Sequence, residues 1–254
     1  MIPIKRPHEI DCMRQSGAAV AEVLDALMAM VEPGVTTGDL DARAASLIRA
    51  KGGKSPFHGY RGFPGHICIS VNEEVVHGIG GRRRLAYGDL VKLDVGIVLN
   101  GWVGDTAASV PVGSVAPEIT QLCRQTELAL AAGISKARSG SRLGDIGAVI
   151  EKTISQGGYS VVKEFVGHGV GRSLHEEPQI PNYGKAGTGP LLKPGMTLAI
   201  EPMVNLGRSD VRILADGWTV VAVDGKFSSH FEHTVLVTEG DPEILTCRKV
   251  TASK

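Results

Sequence analysis

Four carboxylates lie where charge is costly. Asp94 follows Leu-Val-Lys-Leu, Asp105 precedes Thr-Ala-Ala-Ser-Val, Glu201 follows Leu-Ala-Ile, and Glu232 precedes His-Thr-Val-Leu-Val. Each pattern reads as strand. A carboxylate among apolar strand residues is costly to bury unpaired, and several close together repel and take up protons unless cations compensate them. One such acid alone reads as a turn cap or an arginine partner; four at matched positions read as a metal site. His168, in Val-Gly-His-Gly-Val-Gly, supplies a candidate imidazole in a glycine loop whose backbone allows close approach. Four carboxylates and an imidazole suit Mn²⁺, Fe²⁺, Co²⁺ or Zn²⁺ better than a thiolate-loving metal. They are numerous enough for two ions sharing a water, and that chemistry is hydrolysis.

Two further histidines have informative surroundings. His77 sits in Val-Val-His-Gly-Ile-Gly and His175 in Leu-His-Glu-Glu-Pro. Each is either an ordinary loop residue or, beside a hydrolytic centre, a group that binds the scissile carbonyl or donates a proton. The Leu-His-Glu-Glu run is not the HExxH zinc motif, because no second histidine follows at the helical spacing.

The elements that must carry these residues come in two copies. Gly34, Gly38, Asp39 and Gly52 fall on Gly140, Gly144, Asp145 and Gly158 at an offset of 106. Helical patterns precede each segment, over 9–30 and 117–137, so each half reads as helix, glycine turn, second helix, glycine stop. Gly88-Asp-Leu-Val-Lys-Leu-Asp94 matches Gly195-Met-Thr-Leu-Ala-Ile-Glu201 at offset 107, and the segment from Asp105 matches that from Glu232 at offset 127. The second half therefore carries about twenty extra residues between its acidic strands. Asp94 corresponds to Glu201 and Asp105 to Glu232, and folding about a pseudo-twofold axis would bring all four to a common centre.

Composition narrows the function classes. The 254 residues hold 27 basic and 27 acidic side chains, with no net charge, and 43% are apolar. That length buries a sizeable core, and neutrality argues against a nucleic-acid binder. No apolar run approaches the roughly 20 residues of a membrane span, and no signal segment follows Lys5 and Arg6. Cys12, Cys68, Cys123 and Cys247 form no CxxC pair, which argues against disulfides or a thiolate zinc site and fits the cytoplasm.

The ordered motifs Val-His-Gly-Ile at 76–79, Leu-Asp-Val-Gly at 93–96, Gly-Asp-Thr at 104–106, Gly-His-Gly-Val-Gly at 167–171, His-Glu-Glu-Pro at 175–178, Ile-Glu-Pro-Met at 200–203 and Phe-Glu-His-Thr at 231–234 resemble type I methionine aminopeptidases. The resemblance runs from the first helix to Ile244. It implies the α+β pita-bread fold: one catalytic domain over 1–254, with pseudo-symmetric halves at about 7–115 and 116–245 around a dinuclear site. It makes Asp94, Asp105, His168, Glu201 and Glu232 the ligands of two divalent ions (Fe, Mn, Co or Zn). Glu201, His77 and His175 become catalytic, the histidines contacting substrate and Glu201 shuttling a proton. Tyr60, Phe63, Cys68 and Trp218 match the apolar methionine pocket, where aromatic and sulfur groups suit a thioether; core packing is the plain alternative for Cys68 and Trp218.

The implied activity is removal of initiator methionine from nascent chains and peptides whose second residue is small, by a cytoplasmic monomer with no membrane or specific nucleic-acid partner. Ile2 would then keep Met1 in place. Arg82–Arg84 reads first as a solvated loop and second as a transient ribosome contact. The sequence departs from the family pattern at Leu174, where many members carry phenylalanine, at His230, where many carry glutamine, and in the basic stretch after Gly81. The competing readings are a proline-specific aminopeptidase and a metal-free pita-bread binding protein. The first leads with a large N-terminal domain, for which this sequence has no room before the repeat. The second would be expected to lose ligands, and all five are present.

Overall fold

The computed structural model describes residues 2–247, so the expectation about Met1 lies outside the described residues. The helices are α1 (Pro7–Met28), α2 (Thr37–Ala50), α3 (Pro117–Lys136) and α4 (Leu143–Gln156). The first half adds strands β1 (Cys68–Val71), β2 (Glu74–Val76), β3 (Leu90–Leu99) and β4 (Trp102–Pro111). The second half adds β5 (Ser160–Val161), β6 (Gly167–Gly169), β7 (Glu176–Ile180), β8 (Thr197–Ile200) and β9 (Met203–Asn205). After these come β10 (Val211–Ile213), β11 (Val220–Ala222), β12 (Ser228–His230), β13 (Glu232–Leu236) and β14 (Glu243–Ile244).

The repeat is visible in how the helices begin. Thr36 and Asp39 form a capping box at α2, with Thr36 N–H donating to Asp39 Oδ2 at 3.0 Å and Asp39 N–H to Thr36 Oγ1 at 3.0 Å. At α4, Arg142 N–H donates to Asp145 Oδ2 at 2.8 Å. These contacts satisfy donors that a helix start leaves open. The recurrent glycine has a packing reason: a Cβ on Gly38 would come within 2.9 Å of Gly81 O, and one on Gly144 within 2.5 Å of Lys185 O.

The main sheet runs β1-β3-β4-β13-β8-β6-β7, with β14 on β13. Its centre reads the same from either side, β1-β3-β4 facing β13-β8-β6. Where the halves meet, hydroxyls tie them reciprocally: Thr106 Oγ1 donates to Glu232 O at 2.8 Å and Thr234 Oγ1 to Asp105 O at 2.8 Å.

Alternation along the strands divides the two faces. Val91, Leu93, Val95, Ile97, Ala108, Leu198, Ile200, Val235 and Val237 join the main core with Val20, Val23, Leu24 and Leu27 of α1. That helix lies close because a Cβ on Gly104 would come within 2.5 Å of Ser16 O. The opposite face carries the acidic residues. Two smaller sheets, β10-β11-β2 and β12-β9-β5, flank it.

Candidate functional site

Strand register gathers the candidate ligands. Asp94 and Glu232 both lie opposite Ala107 of β4, from its two sides, and Asp105 lies two residues along β4 opposite Gly96. His233 pairs with Ile200, which sets Glu201 beside Glu232 just past the end of β8. His168 pairs with Ala199. A period of two residues then puts all five side chains on the face away from α1.

Local sequence explains each placement. β8 ends at Ile200, because Pro202 has no N–H to continue the ladder, and Asn182 Nδ2 donates to Glu201 O at 3.0 Å. The expected glycine loop around His168 is instead the short strand β6, squeezed between β7 and β8. A Cβ on Gly167 would come within 2.4 Å of Ala199 O, and one on Gly169 within 2.1 Å of Glu177 O.

Asp105, His168 and Glu232 each offer a ligand atom within 4.8 Å of the others. His168 Nε2 is 3.4 Å from Glu201 Oε1 and 3.8 Å from Asp105 Oδ2. The nitrogen is a lone-pair donor, because His168 Nδ1–H donates to Gly169 O at 2.9 Å, an arrangement typical of ligand imidazoles. Burial pushes Asp94 up to about 7 and Glu201 up to about 8. Burial, then neighbouring carboxylates, raises Asp105 and Glu232 well above the usual range. Burial lowers His168 to about 4, which keeps it neutral. Buried Asp105 Oδ1 and Glu232 Oε1 have no hydrogen-bond partner among the described residues. Unpaired oxygens, crowded acids and a bare imidazole nitrogen fit divalent cations.

These acids floor a cavity of about 640 Å³ that Tyr60, Phe63, Cys68, His77, His175 and Trp218 also line. Cys68 pairs with Asp94 across β1 and β3, so it borders both the acids and the cavity wall. His77 takes a left-handed backbone (φ 60), a region uncommon for residues other than glycine but one in which histidine, like asparagine and aspartate, is enriched. Gly78 makes that turn possible: its N–H donates to Ser70 Oγ at 3.0 Å, and a Cβ there would meet Ile69 O at 2.2 Å. The His77 ring packs edge-on against Phe165 at 5.3 Å and Trp218 at 6.3 Å. Burial lowers it to about 4. His175 is edge-on to His168 at 4.4 Å, and its loop is anchored by Glu176, which accepts from Lys5 Nζ at 2.6 Å and from Arg172 N–H at 2.8 Å.

The cavity wall holds apolar residues beyond those expected from sequence. Phe57, Phe165 and Met203 line the same cavity; aromatic scarcity, at 4% of the chain, was the available signal for the first two. Leu174 lines it too. His230, noticed only as a departure, is buried with Nε2 3.7 Å from Glu201 Oε2, and neither ring nitrogen has a hydrogen-bond partner among the described residues.

Residues 11–239 match Metallopeptidase family M24. The chain is 49% identical over 246 residues to methionine aminopeptidase 1 of Bacillus subtilis, covering 97% of this chain and 99% of that protein. The solved methionine aminopeptidase of Thermotoga maritima superposes with a TM-score of 0.96 at 45% identity, covering 98% of this chain and 100% of the other. A prolidase of Pyrococcus furiosus shares the fold at a TM-score of 0.78 and 22% identity, with 97% of this chain and 66% of that one covered.

Proposed function

The chain belongs to metallopeptidase family M24, and on that premise we propose that it removes N-terminal methionine from peptides and proteins whose second residue is small. The observation that carries the reading is one sheet face on which five candidate ligands open into a cavity walled by aromatic, thiol and thioether side chains. The pita-bread fold and the hydrolase class follow from family membership and close relatives. The greater identity to methionine aminopeptidases than to prolidase disfavours the proline-specific reading.

In this reading the chain is a single catalytic domain with halves at about 7–115 and 116–245. Asp94, Asp105, His168, Glu201 and Glu232 would hold two divalent cations. When bound, the cations supply Lewis acidity, lowering the pKa of water and stabilising negative charge at the scissile carbonyl. Glu201 takes the proton of the attacking water on its carboxylate and delivers it to the departing amine nitrogen. His77 and His175 hydrogen-bond the scissile peptide and crowd the second side chain. Tyr60, Phe63, Cys68 and Trp218 enclose the methionine thioether and exclude water. We take the enzyme to act in the cytoplasm as a monomer. Of the basic cluster, Arg83 pairs with Glu74 at 3.0 Å and Arg84 donates to Gly34 O at 2.7 Å, which leaves Arg82 for a transient ribosome contact.

The test is hydrolysis of Met-Ala-Ser, Met-Leu-Ser and Ala-Pro by metal-reconstituted enzyme. Rapid cleavage of the first alone is expected. Preferential cleavage of Ala-Pro would replace the reading with proline specificity, and no cleavage with the metal-free binding protein.

A further inference from the structure

We propose that Tyr60 is a positioning residue that fixes the tautomer of His175, an inference that rests on His175 contacting substrate. The Tyr60 hydroxyl lies 2.9 Å from His175 Nδ1, and the ring centroids are 5.3 Å apart at a 52° tilt. The contact joins a first-half loop to a second-half loop across the cavity mouth.

That first-half loop is built for one position of Tyr60. Gly59, Arg61 and Gly62 all have left-handed backbones (φ 80, 49 and 89). Gly59 N–H donates to Phe63 O at 2.9 Å and Phe63 N–H to Tyr60 O at 2.9 Å. Arg61 in that conformation stores strain of the kind found at binding sites.

A neutral imidazole has one N–H, and the partner of one nitrogen decides which nitrogen carries it. A phenol is a stronger acid than a neutral imidazole N–H, and it donates to Nδ1. The proton then sits on Nε2, the nitrogen that the Tyr60 contact leaves open. His168, 4.4 Å away, has the opposite arrangement: its Nδ1–H donates to Gly169 O and its Nε2 is bare. The adjacent imidazoles are thus sorted, one presenting a lone pair to a cation and the other an N–H to the scissile peptide. Without Tyr60, His175 could present its own lone pair to a cation.

The experiment combines ¹⁵N-histidine NMR of the zinc-loaded full chain with kinetics on Met-Ala-Ser, His175 signals being assigned by their loss in His175→Gln. Wild type should show a pyrrole-type Nε2 and a pyridine-type Nδ1. Tyr60→Phe, which keeps the aromatic wall, should mix the tautomers and lower kcat about tenfold, the worth of one neutral hydrogen bond, with KM and metal stoichiometry unchanged. A proton on Nδ1 in wild type, or an unchanged tautomer in Tyr60→Phe, would overturn the proposal. So would a raised KM with intact kcat, which would make Tyr60 a pocket wall alone. Failure of wild type to cleave Met-Ala-Ser would instead overturn the proposed function, since the NMR signature is read independently of turnover.

Discussion

The two halves of the sheet offer the same frame and put different chemistry on it. The β3–β4 hairpin turns directly between Asp94 and Asp105, whereas between Glu201 and Glu232 the chain makes β9 to β12. That longer excursion supplies Met203 and Trp218 to the cavity wall and sets His230 beside Glu201, where the first half builds only a turn. The difference recurs one strand out. His168 pairs with Ala199 in the second half, while at the 107-residue offset the first half pairs Ser70 with Lys92. Lys92 is buried and donates to Asn72 O at 2.7 Å; burial lowers it to about 7. The repeated strands bring four carboxylates together, and departures from the repeat add the imidazole ligand and much of the cavity wall.

If both halves must contribute ligands, deleting one from either should be equally damaging. Asp105→Ala from the first half, and His168→Ala or Glu232→Ala from the second, should each abolish measurable cleavage of Met-Ala-Ser and lower metal content. Normal turnover in any of them at stoichiometric metal would break the symmetry of roles.

His77 and His175 also come from different halves. His77→Ala and His175→Ala should each lower kcat by about 10²–10³, the usual loss for one donor to a developing charge, with metal content near wild type by elemental analysis. Metal loss in either would move that residue into the ligand set.

The crowding of acids from both halves sets a pH dependence. Without cations, Asp94 holds its proton to about 7 and Glu201 to about 8; binding must release those protons. His168, lowered to about 4, is already neutral in this range. The thermal stabilisation conferred by added Mn²⁺ should therefore grow from pH 6 to pH 8, as affinity rises about tenfold per pH unit for each proton released. A stabilisation independent of pH would mean that the acids are ionised without the metal.

The equivalent helix-start glycines give the smallest effect and sharpen the packing side of the comparison. Gly144→Ala should cost about 1–3 kcal/mol as an overpacking change and Gly38→Ala less, because the nearest backbone oxygen would lie at 2.5 Å in the first case and 2.9 Å in the second. Denaturant melts of the two variants check the order, and a larger loss at Gly38 would reverse it.

What was legible in the sequence was whatever a repeat or a period could carry. The helices at 7–28 and 117–136 sit close to the predicted patterns at 9–30 and 117–137, because amphipathic spacing and proline starts are local signals. The acids at matched offsets implied a common centre. The shared face needed register, which a period of two does not supply across strands. Contacts between distant segments were illegible for the same reason: Lys5 on Glu176, 171 residues apart, and Tyr60 on His175, 115 apart. The left-handed turn at His77 was hidden because its requirement lies in a neighbour, Gly78, packed against Ile69. His230 drew notice as a sequence departure, yet its nearness to Glu201 depends on β12 folding back beside β9.

The central claim is that the two halves together form one centre for two cations, and calorimetric titration of metal-free protein with Mn²⁺ tests it most directly. The account predicts two equivalents bound by wild type, with His168→Ala and Asp94→Ala each losing at least one. A single equivalent in wild type, or two retained in both variants, would contradict it.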